Sequence, residues 1–244
     1  MIYVISDLHG YPFDSFLGLL RKADFSDEDF LYVLGDIIDR GDDGVKYLLW
    51  LLERKNAELI LGNHEKMMLS CPAVFDRFSL NFLTDPTREQ RISLAIWNAN
   101  GAEPTINGLM GIEYEKRREI YEYVSRAPLY KEITVGGRDY ILVHSGLRDF
   151  HPSKSLDEYS KDDLLWNRPE LSERYFDDKT VIFGHTPSWD FGEGYEGKII
   201  FTDTWIDIDA GAGAGFPPVM LRLDDMRQFA ADGEKPDMSL YRGL

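Results

Sequence analysis

The chain of 244 residues has a single cysteine, Cys71, so no intrachain disulfide framework can staple it. That scarcity fits a reducing compartment, and the cytoplasm is the expected location. Basic residues are also few. Lys plus Arg total 27 against 43 Asp plus Glu, for a formal net charge of -16. A chain that acidic repels phosphate backbones at long range, so neither duplex nucleic acid nor a membrane surface is expected as a partner. No apolar run reaches the length of a membrane span, and because Met1 leads straight into a short apolar run no signal peptide is expected. Low-complexity tracts and linker-like stretches are missing too. What is present is globular in kind: 43% hydrophobic residues, 13% aromatic, and a mean hydropathy of -0.33.

The first third of the chain repeats one pattern. Ile2 to Ile5 is an apolar β-branched run ending in Asp7, followed by Phe16, Leu17, Leu19 and Leu20 at helical spacing. Phe30 to Leu34 ends in Gly35-Asp36 and is followed by Val45, Leu48, Leu49 and Leu52. Leu59 to Leu61 ends in Gly62-Asn63-His64. Continuous apolar strands alternating with amphipathic helices predict parallel βαβ units covered on both faces. Glu132–Val135 and Asp139–Val143 flank Gly136-Gly137 as a hairpin, and further strands are predicted at Thr180–Phe183, Lys198–Phe201, Trp205–Ile208 and Val219–Leu223. The fold class is therefore α/β with mixed strand directions. Residues 66–128 show helical spacing without a strong strand, which predicts a helical insertion within a single domain covering 1–244.

The polar residues at the strand ends carry the chemistry. Asp7-Leu8-His9-Gly10, Gly35-Asp36-Ile37-Ile38-Asp39-Arg40-Gly41 and Gly62-Asn63-His64-Glu65 follow the first three strands. His144-Ser145-Gly146 and Gly184-His185-Thr186 follow two later ones. Loops at the carboxyl ends of neighbouring strands converge on one crevice. Asp7, His9, Asp36, Asn63, His144 and His185 would form a nitrogen and oxygen donor set without thiolate. Such a set suits manganese, iron or zinc, and a carboxylate shared between ions lets it hold two. A lone strand-end Asp or His is more often a cap or a hydrogen-bonded structural residue. At roughly one in twenty per specified position, however, the first three motifs together are not a coincidence.

This ordered set resembles the calcineurin-like metallophosphoesterases. Within them it is similar to the phosphoprotein phosphatase branch, which includes bacterial serine/threonine phosphatases and diadenosine tetraphosphatases. The Asp-Arg-Gly and Asn-His-Glu extensions carry the narrower likeness. The resemblance implies a four-layer arrangement, a mixed central β-sandwich flanked by helices. It implies one metal on Asp7, His9 and a bridging Asp36, and a second on Asp36, Asn63, His144 and His185. His64 would be the general acid, oriented by Asp39. Arg40 and Arg168 would hold the phosphate oxygens, Arg168 lying in a Trp166-Asn167-Arg168 segment similar to one in bacterial protein phosphatases.

The chemistry is coherent on physical grounds as well. Two metals roughly 3.5–4 Å apart neutralise a phosphate ester and acidify a bridging water for in-line attack. An imidazolium opposite the nucleophile protonates the leaving oxygen, and arginine forks match the spread of oxygens. The leading expectation is a dimetal phosphomonoester hydrolase acting on phosphoserine or phosphothreonine in proteins, with manganese as the metal. The alternative is a bis(5'-nucleosyl)-tetraphosphatase, which would take a nucleotide substrate. A catalytically dead binding scaffold is disfavoured because every ligand position is filled.

The remaining motifs receive plainer readings. Ser6 and Ser145 depart from the family pattern at positions that are not ligands. Glu65 is expected to support its loop, Asn100-Gly101 to make a turn, and Gly211 to Gly215 to form an adaptable loop without the lysine of a P-loop. His151 should face solvent, and Cys71 should be packed rather than reactive.

Overall fold

The computed structural model describes residues 1–76 and 87–236. The expected insertion therefore falls partly outside the described residues, at 77–86. Ten strands form two five-stranded sheets among the described residues. The first contains β1 (Ile2–Ile5), β2 (Phe30–Val33), β3 (Ala57–Leu59), β9 (Val219–Arg222) and β10 (Arg227–Ala230), in the order β10-β9-β1-β2-β3. The second contains β4 (Tyr130–Val135), β5 (Arg138–Val143), β6 (Lys179–Phe183), β7 (Ile200–Phe201) and β8 (Trp205–Asp207), in the order β4-β5-β6-β8-β7. Both sheets are mixed. β1, β2 and β3 are parallel while β9 and β10 run against them, and β5, β6 and β8 are parallel between antiparallel β4 and β7.

Period-two alternation explains how the layers stack. Along β1, Tyr3 and Ile5 join an outer core while Val4 joins the core between the sheets; along β2, Leu31 and Val33 point out while Tyr32 points in. In β6, Ile182 enters the same central core, whereas Val181 and Phe183 face a third core with Trp205. Helices α1 (Phe13–Lys22) and α2 (Gly44–Leu52) cover the first sheet, Phe16, Leu19, Leu48 and Leu51 being buried there. The short α7 (Lys161–Leu165) contributes Leu164 to the core on the outer face of the second sheet. The result is a four-layer α/β sandwich. No helix among the described residues is long and apolar enough to cross a membrane.

Four further helices lie between β3 and β4: α3 (Asn63–Leu69), α4 (Arg88–Ala99), α5 (Glu103–Met110) and α6 (Tyr114–Ser125). α5 and α6 pack on α2, and α3 packs on α4 and α6. A reciprocal cap starts α4, with Thr87 Oγ1 accepting from Gln90 N and Gln90 Oε1 accepting from Thr87 N.

Three details differ from the sequence expectation. β3 begins at Ala57, two residues before the apolar run, because the pairing partner is set by the β2 register Leu31↔Ala57 rather than by hydrophobicity. β7 is only Ile200–Phe201. β10 was not anticipated; it is an edge strand in which Phe229 alone is buried, so its sequence carries almost no hydrophobic signal.

Candidate metal centre

The carboxyl ends of β1, β2, β5 and β6, with the loop from β3 into α3, meet at one place. Backbone bonds zip their loops together: Asp7 N–H donates to Gly35 O (3.1 Å), His9 N–H to Asp36 O (2.9 Å) and Gly184 N–H to His144 O (2.8 Å). Asp7, His9, Asp36, Asp39, Asn63, His64, His144 and His185 are all buried. Six predicted site residues adopt left-handed backbone conformations: Asp7, His9, Asp36, Asp39, Arg40 and His185, with φ between 44° and 70°. Each such residue costs about 1–3 kcal/mol unless its surroundings hold it, and six of the nine non-glycine residues with positive φ among the described residues are at the site.

Asp36 is the centre of the arrangement. Its Oδ2 lies 3.7 Å from His9 Nε2 and 3.8 Å from His64 Nε2, while Oδ1 lies 3.5 Å from His144 Nε2. Two donor groups thus share one carboxylate, His9-Asp36-His64 and Asp36-His144-His185, each with its donor atoms within 4.8 Å of one another. Asn63 Oδ1 is 2.7 Å from His144 Nε2, and Asp7 Oδ1 is 3.9 Å from His9 Nε2. The imidazole tautomers suit ligation. His9 Nδ1 is 3.1 Å from Ile38 O and His144 Nδ1 is 2.7 Å from Leu34 O. Those carbonyls take the Nδ1 protons and leave Nε2 lone pairs facing the centre. A buried set of carboxylates and imidazoles with this polarity fits divalent cations.

The electrostatics agree with that fit. Burial would raise Asp36, but His144, His64, His9 and His185 around it hold it well below the ordinary carboxylate range. Burial, with the cationic Arg40 and His64 adding, pushes His9 well down. Burial and the neighbouring His144 push His185 down to about 2. Both shifts favour the neutral imidazole, the form able to bind a cation. Asp7 is raised by burial and by Asp36 beside it.

His64 is different. Burial alone would lower it, but the carboxylates of Asp36 and Asp39 outweigh that and move it upward. Its Nδ1 is 2.6 Å from Asp39 Oδ2, and Arg40 Nη2 lies 3.3 Å from its Nε2. Arg168 stands apart. Its side chain is 51% exposed and its Nη1 pairs with Asp190 Oδ2 at 3.0 Å, although its charge still reaches His185. Glu65 receives three backbone N–H groups: Asp36 N at 2.8 Å and Gly62 N at 3.2 Å on Oε2, and Ile37 N at 3.0 Å on Oε1. It holds the second and third loops together. Burial and Asp36 push Glu65 up to about 7 despite those donors.

Several contributors were not legible. Ser6, read as a neutral departure, hydrogen-bonds through Oγ to the Asp7 carboxylate. Asp207 and Asp209 are buried carboxylates whose Oδ1 atoms accept Asp209 N–H (2.9 Å) and Gly211 N–H (2.8 Å). They fix the turn into the glycine loop. That loop lies against the site: a Cβ on Gly213 would be 2.5 Å from Arg40 Nη1 and 2.7 Å from His9 Cδ2. It lines a cavity of about 540 Å³ with His9, Tyr11, Pro12, Arg40 and Asp42. His151 is exposed, and Cys71 is buried, its thiol pushed up to about 11 by burial.

The geometry has counterparts. The family model for calcineurin-like phosphoesterases matches residues 1–203. Among curated relatives, a symmetrical bis(5'-nucleosyl)-tetraphosphatase of Buchnera aphidicola is 42% identical over 71 residues, 28% of this chain and 26% of the relative. The match thus spans about a quarter of that relative's length. An asymmetrical bis(5'-nucleosyl)-tetraphosphatase of Geobacillus thermodenitrificans is 24% identical across 96% of this chain and 95% of its own. Serine/threonine-protein phosphatase 1 of Salmonella typhimurium is 25% identical across 76% of this chain and 78% of its own. A solved structure described as a candidate diadenosine tetraphosphatase shares the fold with a TM-score of 0.63, at 19% identity over 96% of this chain and 94% of that one.

Proposed function

The chain belongs to the calcineurin-like phosphoesterase family, and from that premise we propose that it is a dimetal phosphomonoester hydrolase acting first on phosphoserine or phosphothreonine in proteins. In this reading Asp7, His9 and Asp36 hold one divalent ion, and Asp36, Asn63, His144 and His185 hold the other. Manganese is the first choice of metal, with iron or zinc next. Bound there, the ions neutralise phosphate oxygens as Lewis acids and make water acidic enough to attack at neutral pH. The chain's own residues do the rest. Arg40 offers a planar fork beside His64, and Arg168 adds a second if its pairing with Asp190 opens.

The observation that carries the choice of substrate is the His64–Asp39 pair at 2.6 Å beside the donor cluster. His64 gives its Nε2 proton to the leaving oxygen while Nδ1–H stays on Asp39. A serine or threonine alkoxide is a poor leaving group and gains most from that proton, typically about 10²–10⁴-fold. A phosphate leaving from an anhydride gains little. The lone buried Cys71 keeps the cytoplasm as the proposed compartment, and the acidic surface keeps nucleic acid duplexes and membranes out of the proposed partners.

A second reading has its own support. The Geobacillus relative is similar over nearly the whole chain, and the cavity beside His9 and Arg40 has room beyond a phosphate group. There the substrate would be a dinucleoside tetraphosphate. The deciding experiment is the ratio of kcat/KM for a phosphothreonine peptide to that for diadenosine tetraphosphate, on manganese-loaded protein at neutral pH. A ratio well above one is expected; a ratio well below one replaces the first reading with the second.

A further inference from the structure

Within the His64–Asp39 pair, Asp39 is held from outside the strand-end loop that supplies it. Asp39 is buried, and besides His64 its carboxylate takes two side-chain donors, one from α4 and one from α5. Trp97 Nε1–H, near the end of α4, donates to Oδ2 at 2.8 Å, the same oxygen that faces His64. Thr105 Oγ1–H, on α5, donates to Oδ1 at 2.6 Å. The Thr105 hydroxyl also accepts the backbone N–H of Asp39 at 2.8 Å, so one side chain fixes both the carboxylate and the peptide behind it. Between the two helices, Gly101 O accepts the Arg40 N–H at 2.8 Å.

These contacts fall where the backbone most needs them. Asp39 and Arg40 are consecutive left-handed residues, with φ of 70° and 69°. Capture of both amide N–H groups, by Thr105 and by Gly101, fixes a conformation that arginine in particular disfavours. Trp97 is likewise no anonymous core residue. It is the one side chain α4 buries, while Ile92 and Ile96 on the same helix stay 49% and 52% exposed. A helix that spends its only buried side chain on an indole N–H aimed at Asp39 has its register set by that bond.

We infer that Trp97 and Thr105 are positioning residues for proton donation: they clamp the Asp39 carboxylate in the plane that aims His64 Nε2 at the leaving oxygen. The inference rests on the proposed general-acid role of His64. The step it serves balances simply: the P–O bond to the leaving oxygen breaks, the Nε2–H bond breaks and its proton passes to that oxygen to give an alcohol, and His64 is left neutral with Nδ1–H still donating to Asp39. Neither residue touches substrate. Their loss therefore acts on turnover according to how much the leaving group needs a proton, and leaves substrate binding and metal content alone.

The test compares Trp97→Phe, Thr105→Val and Thr105→Ser with His64→Asn, on 2-phenylethyl phosphate and 4-nitrophenyl phosphate. Trp97→Phe and Thr105→Val should lower kcat for the alkyl ester by about 10-fold. The aryl ester, whose leaving group needs little protonation, should change by no more than about twofold. KM and bound metal per chain should stay constant, and Thr105→Ser should restore the alkyl rate. A second readout is independent of turnover. In zinc-loaded protein the low-field Nδ1–H proton signal lost in His64→Asn should shift or broaden in Trp97→Phe and Thr105→Val, and return in Thr105→Ser. Equal losses on both esters, or no loss with an unmoved signal, would overturn the inference. If His64→Asn itself loses both activities equally, the general-acid reading fails instead, and the proton signal still reports whether the clamp exists. Should Trp97→Phe not fold, the Thr105 pair decides alone.

Discussion

The proposed metal side and the proposed proton-donor side of this site draw their support from different parts of the chain. On the proposed metal side, strand-end loops tie directly to one another: His185 N–H donates to Asp7 Oδ2 at 2.8 Å, and His9 N–H to Asp36 O at 2.9 Å. The ligands position each other, and Glu65 fastens the second and third loops from within. On the proton-donor side, Asp39 and Arg40 protrude from the same β2 loop but are held from outside, by α4, α5 and the Gly101 turn. The parallel strands within each mixed sheet supply a polar crevice at their carboxyl ends from their own topology. They supply no such partner for a residue three positions further along a loop, so the helices between β3 and β4 have to.

The most drastic way to break this comparison is Asp36→Asn. The amide would face His9 and His64 with one atom and His144 with the other, yet could not bridge two cations as an anion. Loss of at least one ion per chain by elemental analysis, and a fall in kcat/KM of at least about 10³-fold, are expected. Unchanged metal content would remove Asp36 from the shared position. A milder test removes the ions instead of the ligand. Chelation leaves Asp7 and Asp36 buried together without a cation, and ions bound at about a hundred times their Kd contribute about 2.7 kcal/mol each to stability. With two ions removed, a drop in Tm of about 10–20 °C should follow in a chain of this size, restored by manganese. Trp97→Phe should show no such metal-dependent drop beyond that of the parent, because its indole serves the other side. If it does, the two sides are not separable.

The two sides also differ in how far sequence reveals them. The proposed ligand positions are legible because each follows an apolar strand, and His9, Asp36, Asn63 and His185 also sit beside a glycine, so the spacing and the topology point the same way. Asp39 and His64 come with the same motifs. Their supports do not. Trp97 and Thr105 lie in a helical stretch whose amphipathic signal is weak, since α4 buries only Trp97, and their partner is more than fifty positions away. Asn100-Gly101 is legible as a turn but not as a turn against Arg40. Ser6 is adjacent to a ligand, yet a serine there has many local partners to choose from. Asp207 lies within an apolar run that reads as a buried strand, and nothing local shows that its carboxylate ends up ordering the glycine loop. For the fold, the alternating strands of both sheets are plain, whereas β10 pairs through its backbone and buries one side chain. Pairing that rests on hydrogen bonds rather than on apolar faces leaves little trace in composition.

Smaller effects should distinguish backbone support from side-chain space. Gly101 has a φ of +93°, and a Cβ there would lie 2.9 Å from Arg40 Cγ. Gly101→Ala combines a disfavoured conformation with displacement of Arg40, and should lower stability by about 1–2 kcal/mol in urea unfolding. It should also raise KM several-fold. Gly213 has no such backbone demand. Its added methyl would press on Arg40 Nη1, the movable end of a long side chain, and on a His9 ring that is fixed through Nδ1 to Ile38 O. Gly213→Ala should therefore lower Tm by about 2–4 °C, the equivalent of about 1 kcal/mol in a chain of this size. If Arg40 holds the substrate phosphate, KM should rise by about two- to fivefold at constant kcat, the pattern of lost uniform binding. A fall in kcat instead would mean that the methyl reaches the chemistry through His9, and that the glycine loop belongs to the metal side of the site rather than to the substrate.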